Sequence, residues 1–151
     1  MQKFQICNNY KYKMSSINKH KQYLEQYNIK SSVQRLMIYD YLATHKTHPT
    51  VDQIYEDLIN IIPTLSKTTV YNTLKMFVNA GITKELTIDG NTCRYDGETT
   101  PHAHFRCCKC SCIFDMPSLN IDNENVPIDK DFILQSIDIY YCGVCKNCNN
   151  K

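Results

Sequence analysis

No stretch of this chain is apolar for long enough to cross a bilayer, because its longest apolar runs are broken within a few residues by charge or amide. The segment from Met1 to Lys13 also lacks the apolar centre of a secretion signal. A cytoplasmic protein with no membrane partner is therefore expected. Two enzyme signatures are missing as well: there is neither an H-E-x-x-H helix nor an H-x-E deaminase motif. The Cys145-x-x-Cys148 pair follows no strand-then-helix pattern of a dithiol oxidoreductase, so no catalytic residue is expected. Net charge is scarce too, at +2, but the small total conceals an asymmetry. Residues 1 to 81 carry 10 Lys and Arg against 5 Asp and Glu, whereas residues 82 to 151 carry 7 against 10. A basic front half attached to an acidic back half points to a polyanionic partner for the front.

What the chain has in plenty is cysteine. Nine cysteines in a chain without a secretion signal, several of them in C-x-x-C pairs, read as metal ligands rather than disulfides. The densest stretch runs from His102 to Asp115 and holds two histidines, four cysteines and an aspartate. If it is extended, His102 and His104 share one face. Cys107-x-x-Cys110 then needs a second pair to close a tetrahedral zinc site, and Cys145-x-x-Cys148 supplies one. Cys142-x-x-Cys145 is an equally spaced rival, and Cys108 and Cys112 lie beside the first pair. The imidazoles with a carboxylate such as Asp115 suit a more open site for iron, manganese or zinc.

Residues 1 to 14 show no periodicity and read as a loose leader, with Met14 a candidate natural start; Cys7 and Cys93 receive no role. A helix is expected from Ser16 to Tyr27, and a second, opened by a Ser31–Gln34 capping box, to near His45. A Thr50–Gln53 box opens a third, whose apolar spacing continues to Ile62 before Pro63. Ser66 caps a fourth, ending before Gly81. On that helix Val70, Leu74, Phe77 and Val78 make the core stripe, while Thr68, Tyr71, Asn72 and Lys75 share the opposite face. These four are the candidate DNA contacts: Asn can pair with adenine, Thr and Tyr can meet a thymine methyl, and Lys can neutralise a phosphate. Two short strands, Ile82 to Ile88 and Thr92 to Tyr95, turn at Asp89-Gly90-Asn91. Helices followed by a hairpin make a winged helix.

The expected organisation is α+β: a leader at 1–14, a winged-helix DNA-binding domain at 15–96, a hinge at 97–101 and a small metal-binding dimerisation domain at 102–151. Within the last, Phe132, Leu134, Ile137, Ile139 and Tyr141 read as a strand delivering the final cysteines. So small a domain calls for a zinc staple and a second copy.

The pieces Val33-Gln-Arg-Leu, His48-Pro-Thr-Val-Asp, Thr68-Thr-Val-Tyr-Asn-Thr-Leu, Arg94-Tyr-Asp, His102-Ala-His-Phe-x-Cys-x-x-Cys, Asp115 and Gly143-Val-Cys-x-x-Cys together resemble the ferric uptake regulator family, and within it the peroxide-stress repressors. The likeness runs from about Ser16 to Cys148. It implies a homodimeric repressor of a double-stranded DNA operator, with structural zinc on Cys107, Cys110, Cys145 and Cys148. It also implies a regulatory ferrous iron or manganese on His48, Asp96, His102, His104 and Asp115. Asp96 stands where zinc-sensing members tend to have cysteine, and Asp115 resembles the peroxide sensors where iron sensors more often carry Glu. Oxidation of the histidine ligands is thus the implied signal, with plain ferrous-iron response as the alternative. Ser111 departs from the glycine usual after the knuckle.

Overall fold

The computed structural model describes residues 14–88, 90, 92–119, 126–129 and 131–149. Four helices come first: α1 at Met14–Gln26, α2 at Val33–Thr44, α3 at Val51–Leu58 and α4 at Lys67–Asn79. Strands β1, Lys84–Leu86, and β2, Arg94–Asp96, pair antiparallel with Glu85 opposite Tyr95. A second sheet has the order β4-β3-β5, built from β3 at Ala103–Cys107, β4 at Ile113–Met116 and β5 at Tyr140–Gly143, and a single turn, α5 at Lys146–Asn149, follows. β3 runs antiparallel to β4 and parallel to β5. No helix among the described residues is long and apolar enough to cross a membrane.

Local chemistry sets the helix ends. Thr50 and Gln53 close a reciprocal capping box, Thr50 N–H donating to Gln53 at 2.9 Å and Gln53 N–H to the Thr50 hydroxyl at 3.2 Å. Ser66 accepts from Thr69 N–H at 3.0 Å. Gly81 ends α4 at φ +73, and Ile82 N–H reaches back to the Phe77 carbonyl at 3.1 Å, the left-handed exit that a glycine makes cheap. The second helix is capped one residue later than expected. Ser32 accepts from Arg35 N–H, while Gln34 reaches away to the Thr64 carbonyl. α3 also stops short, at Leu58 rather than Ile62, although Ile62 is still buried.

The core lies among the four helices. Ile38, Ile54, Leu58, Val70, Leu74 and Phe77 are fully buried, with Tyr41 and Tyr95 closing the ends. Val78, expected in the same stripe, is only half-buried. The hairpin strands are shorter than expected; Gly90, at φ +76, is the described residue of their turn, and Asp89 and Asn91 lie outside the described residues, as do residues 1–13 of the expected leader. The run from Phe132 to Ile139 forms no strand, pairing starting only at Tyr140. The paired register sets His104 to Cys107 against Tyr140 to Gly143, and His104 N–H also reaches the Ile139 carbonyl at 3.0 Å.

Candidate metal centre and nucleic-acid interface

Among the described residues two clusters of side chains that could hold a metal form, each with its donor atoms within 4.8 Å of one another. One holds Cys107, Cys110, Cys145 and Cys148; the other holds His48, Asp96, His102, His104 and Asp115.

The thiol cluster is assembled by the three-stranded sheet. Cys107 ends β3, Cys110 sits in the turn towards β4, and the parallel strand β5 carries the chain round to Cys145 and Cys148. Cys145 N–H donates to Cys107 Sγ at 3.3 Å, and Cys110 and Cys145 sulfurs stand 3.8 Å apart. Thiolates bound tetrahedrally at about 2.3 Å from zinc would stand about 3.8 Å apart, so the spacing fits. The electrostatics agree. The Cys145 N–H pulls the Cys107 thiol down to about 6 against the effect of burial, and the Cys112 N–H draws Cys110 below the ordinary thiol value. Cys148, hydrogen-bonded to Cys145 and crowded by the other sulfurs, is pushed up to about 12. Four adjacent sulfurs resist ionising together, and a divalent cation removes that conflict. The surplus thiols fall outside the cluster: Cys108 and Cys142 are exposed, and half-buried Cys112 adjoins Cys110 and is raised to about 11 by burial first and then by that neighbour. One expectation is corrected here, since Cys145-x-x-Cys148 does open a helical turn after a strand. Cys145 is nonetheless buried against Cys107 and Cys110 rather than presented to a substrate.

The second cluster bridges the two parts of the chain. His48 follows α2, Asp96 ends β2, His102 and His104 sit at the start of β3, and Asp115 lies opposite His104 on β4. His48 Nε2 is 2.8 Å from Asp115 Oδ1; His102 Nε2 is 3.2 Å from Asp96 Oδ2 and 3.3 Å from Asp115 Oδ1; His104 Nε2 is 3.4 Å from Asp96 Oδ2. Neighbouring ligands about 2.1 Å from one centre, at right angles, are about 3 Å apart. These close approaches lack hydrogen-bond alignment. His48 Nε2, His102 Nε2, His104 Nε2 and Asp96 Oδ2 are buried with no hydrogen-bond partner, which buried polar atoms rarely tolerate. Donors aimed at a common point rather than at each other are what a cation site requires.

Burial lowers the His48 pKa despite Asp96 and Asp115 beside it, which keeps the imidazole neutral and able to ligate. Burial alone would raise Asp96. The His104 side chain, the Glu98 N–H and the nearby His48 and His102 outweigh it and hold the carboxyl below its usual value. Gly97, expected only as hinge, has a packing role that the sequence concealed: a Cβ there would stand 2.9 Å from the Leu42 carbonyl oxygen of α2. The signal for it was a glycine directly after Asp96.

On α4, Val70, Leu74 and Phe77 are buried, whereas Thr68, Tyr71, Asn72 and Lys75 are all exposed along the other side. The four expected base and phosphate readers thus form one accessible face.

The family profile of the ferric uptake regulators matches residues 26–142. Among curated relatives, the peroxide-responsive repressor PerR of Staphylococcus aureus strain Mu50 is 38% identical over 130 residues, 85% of this chain and 88% of the relative. Among solved structures, the Helicobacter pylori ferric uptake regulator shares the fold at a TM-score of 0.69 and 22% identity, over 91% of this chain and 95% of that one. The iron-containing regulator of Francisella tularensis aligns at a TM-score of 0.66 and 26% identity, over 80% and 95%. With over three quarters of its length matched and the two ligand clusters assembled, the chain belongs to the ferric uptake regulator family.

Proposed function

We propose that this chain is a metal-dependent transcriptional repressor that binds a double-stranded operator as a homodimer and releases it when hydrogen peroxide oxidises its regulatory site. The observation that carries the reading is the convergence of five unpartnered or closely opposed donors from both parts of the chain: His48 and Asp96 from one, His102, His104 and Asp115 from the other. Residues 15–96 are the DNA-binding part, 97–101 the hinge and 102–151 the dimerisation part. An ion held between the two parts fixes their arrangement. Only certain arrangements of a dimer match two half-sites in DNA, so site occupancy controls affinity.

Cys107, Cys110, Cys145 and Cys148 hold structural zinc in this reading, and Cys142 is left out. The oxygen-and-nitrogen donor set suits ferrous iron or manganese. Bound ferrous iron would open the O–O bond of peroxide, one peroxide oxygen being added to a neighbouring imidazole, which is the group oxidised, and the other leaving as water; manganese would supply the same charge with far less reactivity. The family resemblance points to His48 and His102 as the rings that take up oxygen, and both stand close to Asp115 Oδ1, at 2.8 and 3.3 Å. An oxidised imidazole is a poorer donor, so the two parts uncouple. The relationship to a peroxide-responsive repressor supports this choice of signal. A protein altered in its own response acts as a regulator rather than an enzyme, and its place is the cytoplasm.

Thr68, Tyr71 and Asn72 read bases and Lys75 holds phosphate. Phe132, 71% exposed, and Ile133, 89% exposed, belong to the apolar surface that a second copy would cover. The deciding experiment measures operator binding by protein loaded with iron or manganese, before and after a low dose of hydrogen peroxide, with mass spectrometry of the histidine peptides. Iron-loaded protein should release DNA and gain one oxygen on His48 or His102, while manganese-loaded protein stays bound. Release without that gain overturns the mechanism: thiol oxidation with zinc loss would replace it, or plain iron sensing if release follows only iron depletion.

A further inference from the structure

His48 ligates from an unusual backbone. Its φ is +50, in the left-handed region that side chains with a Cβ rarely occupy and that strains a non-glycine residue. A residue in that conformation persists only where its surroundings hold it. The helix before it cannot do so, since α2 ends at Thr44, and α3 begins only at Val51. The hold comes from far along the chain. Arg94 Nη1 donates to the His48 carbonyl oxygen at 3.2 Å, and Tyr95 N–H donates to the Pro49 carbonyl at 3.0 Å. Both donors lie on β2, the strand whose last residue is the ligand Asp96. One short strand therefore carries one donor of the metal site and grips the backbone that carries another.

We infer that Arg94 is a positioning residue for the regulatory site: its guanidinium fixes the left-handed His48 backbone so that the imidazole points at Asp96 and Asp115. A charged donor on a backbone carbonyl makes a stronger hold than a neutral one. The ring has little freedom of its own, being 2% exposed and packed edge-on against His104 with centroids 5.0 Å apart, so a rotated backbone cannot be corrected by a new rotamer. Because β2 is also half of the hairpin, the same hydrogen bond ties the position of His48 to that of the wing. The inference rests on His48 being a ligand, as proposed above.

Cobalt(II) titration of zinc-retaining protein tests it, read by visible d–d absorption and by affinity, with zinc content and circular dichroism as controls on folding. Arg94→Gln should weaken cobalt binding about tenfold and shift the absorption bands as a ligand is lost, with zinc still at one per chain. Arg94→Lys, which keeps a charged donor, should stay within about threefold of the parent. In a His48→Ala background Arg94→Gln should add nothing, because both changes remove the same ligand. Parent-like affinity in Arg94→Gln overturns the inference, and so does a further tenfold loss when it is added to His48→Ala. If Arg94→Gln loses zinc or helix content, Arg94→Lys decides in both backgrounds: no loss, or a loss that vanishes without His48, supports positioning, and one that persists refutes it. Undiminished affinity in His48→Ala alone would sink the ligand assignment and this inference together, whereas a weakened His48→Ala beside a parent-like Arg94→Gln sinks only the inference.

Discussion

Ser111 illustrates how much one residue can reveal. It stands at φ +58 directly after the Cys107-x-x-Cys110 turn, with its N–H donating to the Cys107 carbonyl at 2.9 Å. The knuckle needs a left-handed residue there, which explains why a glycine is usual in the family and why serine is strained. Ser111→Gly should stabilise the zinc-loaded protein by up to about 1 kcal/mol, since the relieved strain exceeds the extra flexibility given to the unfolded chain. A urea midpoint no higher than the parent's would count against this account. His48 gives a pH prediction. Its pKa lies below the ordinary 6.5 because burial disfavours the charged ring, so an unfolded chain takes up a proton near pH 6.5 that the folded one refuses. The stability this group contributes is present above pH 6.5 and is lost as pH falls towards the lower folded value. Urea midpoints of protein stripped of regulatory metal, compared at pH 7.5, 6.5 and 5.5, should fall, and His48→Asn should flatten part of that slope.

Among the elements, α4 bears the clearest test. Its accessible face makes base contacts and phosphate contacts separable. Asn72→Ala should cost about 1–3 kcal/mol in operator binding and relax base preference, whereas Lys75→Ala should weaken all sequences alike and reduce the salt slope by about one. Competition between operator and scrambled duplexes at several salt concentrations reads both, and unchanged selectivity in Asn72→Ala would remove it from the face. The elements also show what a sequence makes legible. The Thr50–Gln53 box, the Ser66 cap and the Gly81 exit depend on contacts within a few residues, and all three could be read directly. The start of α2 slipped by one because Ser31 and Ser32 offer the same hydroxyl, and only the fold decides which caps. The tail run failed for another reason. Alternating apolar residues mark a surface that needs a partner, but a strand also needs a paired edge, and the run pairs with β3 only from Tyr140 on. In the second cluster, His102, His104 and Asp115 stand in the motif around His102, whereas His48 and Asp96 enter only through the family resemblance. The grip of Arg94 on His48 was not legible, because 46 residues separate them and no local pattern records such a pairing.

On the scale of the whole molecule, the small back half depends on its sulfur cluster. The three-stranded sheet has few buried apolar side chains of its own, chiefly Ala103 and Ile113, so zinc bound at the sulfur cluster would supply a large part of its folding free energy. Cys110→Ser should lose zinc and either dissociate the dimer or unfold its sheet, while Cys142→Ser keeps one zinc per chain; metal analysis with light scattering checks both. The reverse pattern would reassign the ligands to Cys142-x-x-Cys145. The parallel pairing of β5 with β3 has a consequence in time as well as in space. A ribosome synthesises the chain in order, and all five oxygen and nitrogen donors have emerged once residue 115 is free, with only two of the four sulfurs beside them. The sulfur cluster cannot close until Cys148 has followed, and the strand that brings it must return across the sheet to lie along β3. If these clusters are the regulatory site and the zinc staple, each nascent chain holds the first set complete before the second, with Cys107 and Cys110 made long before Cys145 and Cys148.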